Sequence, residues 1–89
     1  MFINKAENGK NNLCGENIAR FRKEMKISQR ELADRLQLVG LDVDKNAVQR
    51  MESGQRFITD IELVYLSKVL EVHLLSLFPN LSDATNEKL

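Results

Sequence analysis

Two helix-start signals of the same kind constrain this chain more than any other feature. Ser28 is followed three residues later by Glu31, and Thr59 is followed three residues later by Glu62. In each, the hydroxyl can accept from a backbone N–H of the first turn while the carboxylate reaches back, which is the reciprocal capping box. Each box is flanked by an apolar pair at staple spacing, Ile27 with Leu32 and Ile58 with Leu63. A chain punctuated this way is committed to helices at Ser28 and Thr59. It carries little strand signal, because no alternating apolar run bounded by a hairpin turn occurs.

Three further helices fit around these two. Helix one is expected over about 13–25, with Asn12 as its cap and Cys14, Ile18, Phe21 and Met25 on one face. Helix two buries Leu32, Ala33 and Leu36 and stops near Gly40. Helix three starts at Asp44, with Val43 and Val48 as its staple, and stops at Gly54. Helix four buries Leu63, Leu66, Ser67 and Leu70. A short fifth helix over 74–78 ends at Pro79, the one proline. The expected fold is an all-α, five-helix domain over 12–79, with a flexible arm over 1–11 and a tail over 80–89.

Length and composition bound the rest. The chain has 89 residues, 43% hydrophobic and 29% charged, as expected for one soluble domain with a modest core. No apolar run approaches the roughly 20 residues of a membrane span, and the first residues lack a leader's apolar stretch. A cytoplasmic location is therefore expected. Cys14 and His73 are the single cysteine and histidine. That rules out an internal disulfide and leaves too few ligands for structural zinc. Cys14 reads as a small core residue and His73 as a flank of the last helix. No nucleophile–base pair is in view, so neither an enzyme nor a cofactor is expected.

Net charge is zero, which gives no support to a nucleic-acid partner. The distribution is less even. Between Arg20 and Arg56 nine basic residues face six acidic ones, an excess of three that the rest of the chain cancels. A mildly positive centre permits phosphate contact.

Helix three is the unusual element. Its apolar positions are Val48 and Met51, joined by Ala47, so its buried stripe is narrow. Lys45, Asn46, Gln49 and Arg50 are left outward. A stapled helix followed by a thin polar one is what a helix-turn-helix needs, because the second helix must lie in the major groove. Arg can fork to guanine, and Asn or Gln can bridge adenine. A solvated polar face is the other reading of the same pattern. Arg22, on the apolar stripe of helix one, needs a partner if it is buried.

The strings Ser28-Gln29-Arg30-Glu31-Leu32-Ala33 and Val48-Gln49-Arg50-Met51-Glu52-Ser53-Gly54-Gln55-Arg56 resemble the phage repressor and Cro type of helix-turn-helix domain. Leu63–Val72 is similar to that family's fourth helix, and the likeness spans about 13–78. The resemblance implies a sequence-specific transcriptional regulator, a repressor, acting as a homodimer on double-stranded DNA. It places Lys45, Asn46 and Arg50 at base-reading positions, with Ala47 and Gln49 beside them. It gives Gln29, Gln55 and Arg56 to DNA phosphate, and Arg22 with Glu52 to a structural ion pair. The dimer contact would involve Leu74, Leu75, Phe78 and Leu81, for which local core is the alternative. An antitoxin or anti-repressor partner on the same fold is the competing function. About five residues beyond the compact family pattern, roughly Gln37–Asp42, must lengthen helix two, the turn or both.

Overall fold

The computed structural model describes residues 5–6 and 8–79. Four α-helices follow in order: α1 Gly15–Glu24, α2 Gln29–Leu38, α3 Lys45–Ser53 and α4 Asp60–Leu70. A single 3-10 turn, Leu74–Leu77, comes last. The fold is all-α, but the expected fifth helix is this one turn. The six residues between Val72 and Pro79 are too few to repay the cost of an α-helical nucleus.

The start signals act as the sequence dictates. The Ser28 hydroxyl accepts from the Glu31 N–H at 3.0 Å, and the Glu31 carboxylate accepts from the Ser28 N–H at 3.2 Å. At α4 the corresponding bonds of Thr59 and Glu62 are 3.1 and 2.9 Å. Asp44 caps α3 by accepting from the Ala47 N–H at 2.8 Å. Both expected glycine stops adopt the left-handed region, Gly40 at φ +107° and Gly54 at φ +86°. A Cβ makes that region costly.

Helix α1 departs from expectation at its start. It begins at Gly15, and Cys14 in the cap position makes no side-chain bond. Asn12 still satisfies the first turn, because its Oδ1 accepts from the Gly15 N–H at 2.8 Å. Its Nδ2 donates to the carbonyls of Met51 at 3.0 Å and Arg56 at 2.8 Å. Asn12 therefore caps α1 and ties it to the end of α3. The arm expected over 1–11 is corrected at its near end. Asn11 donates from its backbone to the Gly54 carbonyl at 2.8 Å and from its amide to the Gln55 carbonyl at 2.9 Å. These bonds fix the chain before α1 against the loop after α3. The calls on residues 80–89 lie outside the described residues.

The extra segment divides between helix and turn. Gln37 and Leu38 extend α2, and Val39 to Asp42 lengthen the link to α3. The link is held by the Leu41 N–H on the Leu36 carbonyl at 2.9 Å and by the Gln37 amide on the Val43 carbonyl at 2.7 Å.

Ile18, Leu32, Leu36, Val48, Met51, Leu66 and Leu77 are completely enclosed and form the centre of the core. Each such side chain is worth about 1.5–3 kcal/mol relative to exposure. All but Leu77 sit on stripes that helical spacing marks. Leu77 is brought in by the 3-10 turn, with Phe78 packed beside the core.

Gly15 shows how closely α1 meets α3. A Cβ there would fall on the Met51 carbonyl oxygen and lie 3.0 Å from both Asn12 Oδ1 and the Glu52 carbonyl oxygen. In an isolated helix Gly→Ala gains about 1 kcal/mol. Here overpacking against fixed backbone reverses the sign, and we expect Gly15→Ala to lose about 1–3 kcal/mol in urea denaturation. A stabilised variant would contradict this backbone-to-backbone packing.

Candidate nucleic-acid interface

On α3 the side chains sort cleanly. Lys45, Asn46, Gln49 and Arg50 are exposed, and Val48 and Met51 are buried. The spacing i, i+1, i+4, i+5 puts the four exposed residues on one side of the helix. Ala47 follows its place on the apolar stripe rather than its place beside the base-reading positions. It is only 7% exposed and belongs to the core, so its methyl group is not on the reading face. A shallow groove between α2 and the start of α3 continues this face, lined by Arg30, Asp34, Gln37, Asp44, Lys45 and Asn46.

Lys45 occupies the first position of α3, where the positive end of the helix dipole disfavours a cation. A residue that opposes its own helix is what a surface set up for an anionic partner can carry.

The expected pair of Arg22 and Glu52 forms. Arg22 Nε donates to Glu52 Oε2 at 2.6 Å and Nη2 donates to Oε1 at 3.1 Å. The side chains are 11% and 7% exposed. Arg22 Nη1 also donates to the Ile27 carbonyl at 2.8 Å, in the α1–α2 turn. This accounts for the charge on the apolar stripe of α1.

Two residues given to phosphate have other bonds here. The Gln29 amide donates to Glu52 Oε1 at 2.9 Å, so the side chain joins α2 to the ion pair. Its backbone N–H sits in the first turn of α2, where anions are favoured. Arg56 forks onto Glu62, with Nη1 on Oε1 and Nη2 on Oε2, both at 2.9 Å. Gln55, beside it, is exposed. Neither the Gln29–Glu52 bond nor the Arg56–Glu62 fork is visible in the sequence. Glu62 reads there as a capping residue alone, and a salt bridge between residues six apart, one in a loop and one in a helix, leaves no periodic trace.

Burial pushes the Glu62 carboxyl up, but the Arg56 guanidinium and the Thr59 N–H together outweigh it and hold the group below the ordinary glutamate value. The bonds to Glu62 raise Arg56 in turn. Burial pushes the Cys14 thiol up to about 11, which leaves it protonated and inert near neutrality. Among the described residues no cluster of three or more His, Cys, Asp or Glu side chains could hold a metal. No helix there is long and apolar enough to cross a membrane.

A polar, outward helix locked by a buried ion pair behind a capped bracing helix defines a helix-turn-helix DNA-binding module. The chain belongs to the helix-turn-helix family of the Cro/C1 type, whose pattern matches residues 18–77. It is a DNA-binding transcription regulator. A similar solved structure is the restriction-modification controller protein C.AhdI from Aeromonas hydrophila. The two are 25% identical, with a TM-score of 0.64 over 72% of this chain and 86% of that one. No curated protein matches.

The ion pair generates a stability prediction. Glu52→Ala leaves a buried guanidinium and the Gln29 amide without their acceptor. The expected loss is about 3–5 kcal/mol in chemical denaturation. Replacing Arg22 and Glu52 together by Met and Leu should recover most of it. A single variant as stable as the parent would show that the pair does not tie α1 to α3.

Proposed function

We propose that the chain represses transcription by reading an operator in the major groove with α3. The observation that carries this is the exposed set Lys45, Asn46, Gln49 and Arg50 on a helix whose other side is buried. Arg50 is the strongest candidate for a guanine, forking to O6 and N7, and Asn46 and Gln49 suit adenine. Lys45, at the edge of the groove beside α2, reaches base or phosphate. The backbone N–H of Gln29 and the side chain of Gln55 position the domain on the strand. The likeness to a controller protein supports the regulatory reading.

Arg50→Ala should reduce discrimination at one base pair by roughly 1–3 kcal/mol, read as the spread of Kd over single-base-pair variants of the preferred duplex. Unchanged affinity and unchanged preference would mean that α3 is not docked by this face.

The regulator acts as a homodimer on a palindrome, with half-sites about 34 Å apart. The apolar side chains at the 3-10 turn support this contact. Leu75 is 74% exposed and Leu74 lies beside it, while Phe78 packs partly into its own core. Leu81, named with them, lies outside the described residues. Leu75→Glu should shift sedimentation toward the monomer and weaken operator binding without lowering the melting temperature. A dimer of unchanged strength would place the contact elsewhere.

A further inference from the structure

The loop from Gly54 to Thr59 contains one cation, Arg56, and is followed by Asp60. In a module that grips backbone with this loop, that cation would be the natural phosphate contact. Here it is engaged within the protein. Besides its two bonds to Glu62, Nη1 donates to the Phe57 carbonyl at 3.1 Å.

The acceptor is the fixed partner. Glu62 is 8% exposed, and its Oε1 also accepts from the Thr59 N–H at 2.9 Å to close the capping box of α4. Turning the carboxylate away would open that box. A fork between guanidinium and carboxylate is short, strong and directional. Partial burial also protects it from salt screening. A DNA phosphate approaching the loop must therefore compete with a carboxylate that cannot retreat.

The geometry points to Glu62 as a specificity-determining residue. Its carboxylate neutralises Arg56, denies this loop a cationic grip on the phosphates of DNA of arbitrary sequence, and leaves discrimination to the bases read by α3. This rests on the reading of α3 as the base-contacting element. A brace that only holds the loop in shape would act in the opposite direction. Weakening a brace lowers DNA affinity, whereas removing the competing carboxylate raises it.

Glu62→Gln separates the two, because a glutamine at the third position still closes a capping box. The full chain, Glu62→Gln and the double variant Arg56→Gln/Glu62→Gln are titrated onto random-sequence duplex at about 50 and 200 mM salt, where counterion release reports phosphate contacts. Thermal melts of each protein accompany the titrations. Glu62→Gln should bind random duplex more tightly at low salt, with a salt slope steeper by about one. Its loss of affinity between the two salt conditions should grow by about three- to fourfold. Its preference for a selected duplex over random DNA should fall. The double variant should return to the parent's random-DNA affinity and slope.

Unchanged or weaker random-DNA binding by a folded Glu62→Gln would overturn the inference. So would a double variant whose slope is shallower than the parent's by about one, because Arg56 would then already hold a phosphate beside Glu62. The titrations are run below the melting temperature of Glu62→Gln, so that both variants are compared folded. A parent chain that selects no duplex at all would sink the reading of α3 and this inference with it. A parent that selects a duplex while Glu62→Gln changes nothing would sink the inference only.

Discussion

One carboxylate sets the geometry of this domain. Glu52, on the last turn of α3, accepts from Arg22 of α1 at 2.6 and 3.1 Å and from Gln29 at the start of α2 at 2.9 Å. Arg22 extends the junction to the Ile27 carbonyl in the α1–α2 turn. Three helices are thus fixed at one point. Helix α3 needs this, because Ala47, Val48 and Met51 are all it buries. Three apolar contacts hold a helix down but leave its rotation loosely set. A buried bidentate pair sets rotation, because its energy falls steeply with misalignment. Its contribution is to orientation more than to net stability, since well-packed apolar residues can match a buried pair in energy.

Two internal bonds, one at this junction and one in the loop after α3, bear on how a neutral chain can serve as a DNA reader. Two of the residues that the family resemblance gives to phosphate donate their side chains within the protein, Gln29 to Glu52 and Arg56 to Glu62. Each bond organises the scaffold and removes a donor from non-specific use. What remains exposed on α3 is Lys45, Asn46, Gln49 and Arg50, side chains suited to base edges as well as phosphates. On the proposed reading, the affinity for arbitrary DNA that a strongly basic surface would supply should be low.

Much of this was legible in the sequence, for identifiable physical reasons. Capping boxes, staples and glycine stops are short-range, so the starts of α2, α3 and α4 follow from residues within four positions of one another. Helical spacing exposed the charge at Arg22, and the family resemblance supplied its partner. The errors lie where distant parts of the chain meet. Helix α1 starts later than its cap suggests because Asn12 caps from outside the helix while bonding two carbonyls near the end of α3. The near end of the expected flexible arm carries no local signal of its bonds, because its partners, Gly54 and Gln55, are more than forty residues away. Ala47 carries two readings in the sequence, beside the base-reading positions by resemblance and on the apolar stripe by spacing, and packing in the core decides for the second. Leu77 escaped notice because a single 3-10 turn has too little length to show a period.

The central claim is that α3, held in place by Glu52, reads bases as one half of a symmetric pair. Selection of binding sites from a random duplex library tests it most directly. Enrichment of a palindrome whose half-site centres lie about one helical turn apart, roughly 34 Å, is expected. A pool that stays random after selection, while the protein remains folded, would contradict it.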